Sequence, residues 1–155
     1  MIYDEQFAHR DDAEIARIRR EYERRRREIP GDFYGLGRSA NMYSHGQLAR
    51  ACVKGLVQAE RFALDRQRVL DVGCGRGMWL LEFCQWGGVP ENLAGVDLCE
   101  DRITEARRKL PTADLRVGDA RILPWGDTSF DLVTQFGVFT SILSPTAKRQ
   151  VANEM

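Results

Sequence analysis

The sequence predicts an α/β fold in which a doubly wound, mainly parallel sheet follows an N-terminal helical arm. Short apolar runs and helical segments alternate from residue 68 onward, as is typical of such sheets. A glycine-rich turn follows the first apolar run, at the strand end where parallel sheets bind ligands. Roughly the first thirty residues differ in composition from the rest, because residues 17–27 are rich in arginine. We therefore predict a helical arm and lid loop over residues 1–43 and the sheet domain over residues 44–155.

The composition is that of one globular domain. Of the 155 residues, 43% are hydrophobic and 30% are charged, and 23 basic residues balance 23 acidic ones. The sequence has neither an apolar run of the roughly 18 residues that a membrane helix needs nor the pattern of a signal peptide. Charge neutrality gives no reason to expect nucleic acid or a membrane as a partner. The four cysteines lack CxxC spacing, so we predict free thiols, no metal site and a cytoplasmic location.

The arm is predicted to begin with a charged helix. Four apolar residues recur at helical spacing, namely Ile15, Ile18, Tyr22 and Ile29. Seven arginines lie within residues 17–27. The pairs Glu21–Arg25 and Glu23–Arg27 have the i,i+4 spacing that stabilises a solvated helix. An anionic substrate or RNA is the alternative explanation of the cluster, but the interleaved aromatic residues of single-stranded RNA platforms are absent from this segment.

A loop and a second helix are predicted next. Residues 32–43 are rich in glycine, small and aromatic residues and show no period of two or 3.6, which predicts a loop. Ser44 and Gln47 have the spacing of a capping box, so a helix is predicted to begin at Ser44. Apolar residues recur on one face of that helix from Leu48 onward.

Four strands and three helices are predicted in the alternating part. The strands are expected over residues 68–72, 93–98, 115–117 and 130–136. The helices are expected over residues 78–86 and 100–110, and from Ser144, where a capping serine precedes a proline at the first helical position.

The turn after the first strand carries the clearest functional signal. Gly73, Gly75 and Gly77 let the backbone turn tightly and approach a ligand, and the helix that follows offers unpaired amides. The spacing GxGxG differs from the GxGxxG of dinucleotide-binding turns, and no Gly-Lys-Ser/Thr follows as in a P-loop. Asp71, two residues before the first glycine, would repel a pyrophosphate but suits a ligand with an ammonium and a sulfonium group. This favours S-adenosylmethionine over NAD, so an NAD-dependent oxidoreductase is the disfavoured alternative.

Residues 71–77, DVGCGRG, resemble the first motif of the class I S-adenosylmethionine-dependent methyltransferases. Three further motifs match in the same order, namely GVDL at 95–98, GDA at 118–120 and the run from LPW to SFDLV at 123–133. The resemblance covers roughly residues 68–143. It implies a Rossmann-like fold and methyl transfer from S-adenosylmethionine, with S-adenosylhomocysteine as the product.

The resemblance also implies which residues contact the cofactor. Asp97 would accept hydrogen bonds from the ribose hydroxyls, and Asp119 and Ala120 would meet the adenine. Gln135 and Phe136 would line the methionine end and the substrate side. The full implied set is Asp71, Gly73, Cys74, Gly75, Gly77, Asp97, Leu98, Asp119, Ala120, Gln135 and Phe136. As alternatives to cofactor binding, Asp71 and Asp97 could each cap the helix that follows, and Asp119 could be an ordinary turn residue. Asp131 precedes its strand and is predicted to be structural.

Methyl transfer demands few catalytic side chains, because the leaving group is already activated. His45 is a candidate base for a hydroxyl acceptor, since the start of a helix favours a neutral imidazole. A surface histidine beside a helix cap is the alternative explanation, and the sequence favours it over a catalytic base. Charge neutrality and the single helical arm favour a small-molecule acceptor. The sequence is also compatible with a non-catalytic module that binds S-adenosylmethionine or a partner, and with an RNA methyltransferase.

The family sheet has seven strands in the order 3-2-1-4-5-7-6, of which only four are placed in this sequence. The predicted order 3-2-1-4 makes residues 130–136 an edge strand, although they are mostly apolar. We therefore predict an incomplete methyltransferase sheet, which is either the N-terminal half of a larger domain or is covered at this edge in a homo-oligomer.

Overall fold

The computed structural model describes residues 5–155, with side chains from residue 13 onward. The chain divides into two compact units, one formed by the residues up to Arg19 with Leu64–Met155, and the other by Arg20–Ala63. The helices are α1 Glu5–Glu28, α2 Ser39–Gln58, α3 Met78–Gln85, α4 Glu100–Lys109, α5 Val138–Ser141 and α6 Pro145–Glu154. Short 3-10 turns cover Leu64–Arg66 and Pro90–Asn92.

One sheet of four parallel strands forms the centre of the first unit. The strands are β1 Val69–Val72, β2 Leu93–Asp97, β3 Asp114–Val117 and β4 Leu132–Gln135, in the order β3-β2-β1-β4. The predicted fold class, strand order and parallel direction are confirmed. Val72, at the end of β1, lies beside Val96 and Gln135. The residues that follow these strands therefore meet at one edge of the sheet.

The core of the first unit surrounds the two central strands. Every residue of β1 and β2 is buried, as is typical of the central strands of a parallel sheet. Phe83 of α3 and Ile103 of α4 are also fully buried. All four residues of β4 are half-buried, and β1 is its one strand neighbour in the described part of the chain. The prediction that this strand lies at the edge is confirmed.

The second helix begins five residues earlier than predicted, at Ser39 rather than Ser44. Arg38 is extended, and its carbonyl accepts the first helical bond from the amide of Met42 at 3.0 Å. The Asn41 side chain donates to the carbonyl of Phe33 at 2.7 Å and fixes the preceding turn. No glycine or proline interrupts residues 38–45, so the capping-box pattern lies inside a helix that has already started.

Ion pairs cover the exposed part of α1. Glu21 accepts hydrogen bonds from Arg24 and Arg25, each at 2.8 Å, so the predicted pair with Arg25 is present. Glu23 pairs with Arg26 rather than with the predicted Arg27, because residues three apart are also neighbours on a helix. None of the helices within residues 5–155 combines the length and apolar character needed to cross a bilayer.

Candidate cofactor site at the carboxyl edge of the sheet

Three glycines shape the turn between β1 and α3. Gly73, Gly75 and Gly77 have φ angles of 71°, 54° and 77°, which L side chains rarely adopt. A Cβ on Gly73 would overlap Cγ2 of Val138, so no side chain fits there. A Cβ on Gly75 would meet nothing within 4 Å. The turn is therefore packed at its start and open in its middle, where a ligand can reach the backbone.

Asp97 ties this turn to the end of β2. Its Oδ2 accepts a hydrogen bond from the Gly75 amide at 3.0 Å, and its Oδ1 accepts one from the Cys99 amide at 2.9 Å. The amides of Gly73 and Cys74 donate to the carbonyl of Val96 at 2.7 and 3.0 Å. Each carboxylate oxygen keeps a second lone pair, so Asp97 can still accept hydrogen bonds from a ligand's hydroxyls.

Asp71 is a buried acid without a basic partner among the described side chains. It is 1% exposed, and its Oδ1 accepts a hydrogen bond from the Thr134 hydroxyl at 3.1 Å. Within residues 13–155 no lysine, arginine or histidine forms an ion pair with it. Burial raises the pKa of Asp71 to about 8, the charge of Asp97 acts in the same direction, and the Thr134 hydrogen bond opposes the shift. A cation placed here would favour the ionised form.

Two cysteines, Cys74 and Cys99, lie in this region. Cys74 is buried, and a Cβ on Gly95 would lie 2.7 Å from its Sγ. Burial, together with the charges of Asp71 and Asp97, raises the pKa of the Cys74 thiol. Burial also raises the pKa of Cys99 to about 11. Both thiols are therefore protonated at neutral pH and neither is an activated nucleophile.

Asp119 lies just past β3 and is held by Arg121, which the sequence motifs did not indicate as a site residue. Its Oδ1 accepts a hydrogen bond from the Arg121 amide at 2.9 Å, and its Oδ2 accepts one from Nε of Arg121 at 2.8 Å. The amide of Gly118 donates to the carbonyl of Asp97 at 3.0 Å, which brings this turn to the same edge. In the sequence, the Asp-x-Arg spacing of residues 119 and 121 is the signal that could have indicated this pair. Asp119 and its half-buried neighbour Ala120 therefore follow directly on a residue that is bonded to the end of β2.

An aromatic pair stands at the end of β4. Phe136 stacks on Trp79 with 3.8 Å between ring centroids and 13° between ring planes. Gln135 accepts a hydrogen bond from the Val138 amide through Oε1 at 3.0 Å. Trp79 is 7% exposed and was not predicted as a site residue, although it follows Gly77 by two positions. Stacking fixes the Phe136 ring beside the start of α3.

The sequence also predicts roles for His45 and Asp131. His45 lies within α2, in the unit formed by Arg20–Ala63, and the six helical residues before it place it past the first turn. The premise that His45 lies at a helix start was therefore wrong. Asp131 is confirmed as structural, because its Oδ2 accepts a hydrogen bond from the Arg68 amide at 2.8 Å, at the opposite end of β1.

The residues at the carboxyl edge fit a ligand that carries both a cationic group and hydroxyls. Among the described side chains Asp71 lacks a positive partner, while Asp97 keeps acceptor capacity and the turn is open at Gly75. Leu98, half-buried, continues the edge after Asp97. Over residues 13–155, no group of three or more histidine, cysteine or acidic residues is placed to hold a metal ion.

Comparison with known proteins gives the same family for this chain. The family model described as a methyltransferase domain matches residues 69–155, which is more than half of the chain. Malonyl-[acyl-carrier protein] O-methyltransferase of Erwinia billingiae is 37% identical over 101 residues, covering 63% of this chain and 38% of that protein. The chain therefore spans less than two fifths of the length of this curated relative.

Two solved structures resemble the chain. CalS10, an amino pentose methyltransferase from Micromonospora echinaspora solved with S-adenosylmethionine bound, is 28% identical, with a TM-score of 0.54, covering 74% of this chain and 50% of that one. Magnesium protoporphyrin IX methyltransferase from Synechocystis PCC 6803, solved with S-adenosylhomocysteine, is 18% identical, with a TM-score of 0.62, covering 94% of this chain and 66% of that one. The latter likeness concerns the fold alone. The chain belongs to the methyltransferase-domain family, among the class I S-adenosylmethionine-dependent methyltransferases.

Proposed function

We propose that this chain binds S-adenosylmethionine at the carboxyl edge of the sheet and takes part in methyl transfer to a small-molecule acceptor. The observation that carries the proposal is Asp71, a fully buried carboxyl without a basic partner among residues 13–155, two residues before the first glycine of an open turn. The ammonium and sulfonium groups of S-adenosylmethionine supply the missing positive charge. NAD would instead bring a pyrophosphate towards a carboxylate.

The other site residues are assigned by their place along the same edge. Asp97 holds the ribose through the lone pairs that the Gly75 and Cys99 amides leave free. Asp119 and Ala120 border the adenine, where Arg121 keeps the Asp119 carboxylate in one orientation. The remaining implied contacts are Gly73, Cys74, Gly75, Gly77 and Leu98 in the turn and at the end of β2, with Gln135 and Phe136 at the end of β4.

When bound, S-adenosylmethionine supplies a methyl group that the positive sulfur already activates. The chain itself contributes by orienting the methyl donor and the acceptor, because an aligned pair reacts far faster than free molecules. The stacked Trp79 and Phe136 rings form an apolar wall that keeps water from the acceptor side. An amine acceptor needs no strong base, and the proposal assigns no catalytic base to this chain.

The relatives favour a small or carrier-bound acceptor over nucleic acid. One is a malonyl-[acyl-carrier protein] O-methyltransferase and another an amino pentose methyltransferase. The arginine-rich part of α1 is consistent with this choice, because Glu21 and Glu23 pair with its arginines. A cytoplasmic location belongs to the same proposal, since the four cysteines are free thiols.

Isothermal titration with S-adenosylhomocysteine and with NADH tests the binding. We expect S-adenosylhomocysteine to bind and NADH not to bind. Asp97→Asn should weaken S-adenosylhomocysteine binding by about tenfold or more, because a buried hydrogen-bonded carboxylate is lost. Asp131→Asn, at the opposite end of β1, is the matched control and should bind like the parent. NADH binding, or equal losses in both variants, would contradict the proposal.

A labelled methyl donor distinguishes an enzyme from a module that only binds the cofactor. Transfer of the label to an acceptor in a screen of amines, hydroxyls and carboxylates supports the proposed activity. Binding without transfer to any of them favours a non-catalytic module.

We further propose that a second copy covers the edge of β4 that has no strand neighbour among residues 5–155. The four half-buried residues of this strand contrast with the fully buried β1 and β2. Sedimentation should show an oligomer, whereas a monomer that binds no apolar dye would contradict this proposal.

A further inference from the structure

We propose that Glu14 and Arg17 of α1 form a latch that positions the segment after β4 and thereby tightens the cofactor site. The segment comprises residues 137–144, which connect β4 to α6. The two latch residues and the segment that they hold belong to the same compact unit of the chain. The inference rests on the proposed function, because the site that it tightens is the proposed site for S-adenosylmethionine.

The latch consists of hydrogen bonds within α1 and from α1 to the segment. Glu14 is 8% exposed, and its Oε1 accepts hydrogen bonds from the amides of Leu143 at 2.6 Å and Ser144 at 3.4 Å. Arg17 donates to both oxygens of Glu14, at 2.8 and 2.9 Å, and also to the carbonyl of Ser141 at 2.7 Å. One helical turn of α1 thus holds three backbone positions of a segment more than 120 residues away in sequence.

The latched segment reaches the glycine turn directly. It begins after Phe136 and contains α5, whose first residue donates its amide to Gln135 Oε1. The Cγ2 atom of that residue, Val138, fills the space where a Cβ on Gly73 would lie. A displacement of α5 would therefore move atoms that contact Gly73 and the end of β4. The latch limits that displacement.

The charges explain why a helix surface would hold this segment. Ser144 caps α6, with its hydroxyl accepting a hydrogen bond from the Ala147 amide at 3.2 Å, so Glu14 lies at the positive end of a helix. The hydrogen bond from Arg17 lowers the pKa of Glu14 to about 2, and the bonds from Leu143 and Ser144 add to this. Glu14 is therefore ionised throughout the working range of pH, and the latch is a fixed positioning device.

Glu21 provides a matched control on the same helix. It has the same i,i+3 ion pair, with Arg24 at 2.8 Å, and a pKa that the same kind of hydrogen bond lowers to about 2. Its hydrogen bonds are with Arg24 and Arg25 of its own helix. Glu14→Gln and Glu21→Gln thus remove the same charge, but only the first should loosen residues 137–144.

The experiment measures amide hydrogen exchange at Leu143 and Ser144 and the affinity for S-adenosylhomocysteine, at a temperature where the variants are folded. Glu14→Gln should speed exchange at both amides and weaken binding about fivefold or more, because the binding-competent arrangement is less populated. Glu21→Gln should change neither quantity. If Glu14→Gln does not fold, Arg17→Lys replaces it, since lysine lacks the fork that joins Glu14 to Ser141.

A latch with only a structural role would lower the melting temperature and leave the affinity of the folded protein unchanged. That result would overturn the inference, as would unchanged exchange at Leu143 and Ser144. The exchange measurement needs no cofactor, so failure of the parent chain to bind S-adenosylhomocysteine would refute the proposed function separately.

Discussion

The carboxyl edge of the sheet and the unit formed by Arg20–Ala63 place the same chemical groups in opposite surroundings. Burial raises the pKa of Asp71 to about 8. Hydrogen bonds from Arg24 and Arg25 lower the pKa of Glu21 to about 2. The exposed helix therefore supplies its own counter-charges, whereas the sheet edge holds an acid that has no basic partner among the described side chains. The proposed cationic ligand would supply one.

The glycines of the two regions differ in the same way. Gly73 has a φ of 71° and is in contact with Val138, so its backbone tolerates no side chain. Gly55 lies within α2 and has open space around it. The sheet edge is thus geometrically fixed, and α2 accepts change at its surface.

The largest expected effect comes from Gly73→Ala. The added methyl group would both occupy a strained φ and overlap Val138, so we expect a loss of stability of at least about 2 kcal/mol and no detectable binding of S-adenosylhomocysteine. Gly55→Ala is the control and should stabilise the chain by about 0.5–1 kcal/mol, because alanine favours a helix. Urea unfolding measures the stability of both variants, and titration with S-adenosylhomocysteine measures their binding. A Gly73→Ala variant as stable as the parent would show that the edge is not fixed.

The stability of the ligand-free chain should also depend on pH. The Asp71 carboxyl ionises near its ordinary pKa of 3.8 in the unfolded chain and near 8 in the folded chain, so the folded state holds the extra proton between these values. This one group therefore lowers the free energy of unfolding as pH rises from about 4 to about 8, by at most about 1.4 kcal/mol per pH unit.

Asp71→Asn should remove this slope, so the variant gains stability relative to the parent as the pH rises. Urea unfolding at about pH 5 and about pH 7.5 measures the gain, with Asp131→Asn as the control. An identical slope in the parent and in Asp71→Asn would show that the folded protein does not keep Asp71 protonated.

The smallest effect is expected from Glu21→Gln on the exposed helix. Both partners of its ion pairs are partly exposed, and water and salt screen such pairs. We expect the melting temperature to change by less than about 2 °C, with the difference vanishing at high salt. A large change measured by circular dichroism would mean that this helix depends on its ion pairs more than the comparison implies.

The sheet could be predicted from the sequence because local signals determine it. The apolar runs, the glycine turn and the alternation with helices placed all four strands to within two residues at each end. The positions of Asp71 and Asp97 at strand ends followed from the same signals, and the strand order came from the family resemblance.

Contacts distant in sequence could not be predicted in this way. The hydrogen bond from the Leu143 amide to Glu14 joins residues 129 positions apart, and no local pattern marks it. The stacking of Trp79 on Phe136 likewise depends on how α3 lies against β4. The start of α2 was misplaced because the pattern at Ser44 is equally compatible with a helix interior.

The pH dependence of S-adenosylhomocysteine affinity tests the central claim, that a cationic ligand completes the charge of Asp71. Below about pH 8 the ligand's ammonium group must displace a proton from this carboxyl, so affinity should rise from about pH 6 to about pH 8, by at most about tenfold per pH unit. The Asp71→Asn variant should bind more weakly and show no such rise. Affinity that is independent of pH in the parent chain, or equal in the two proteins, would contradict the account.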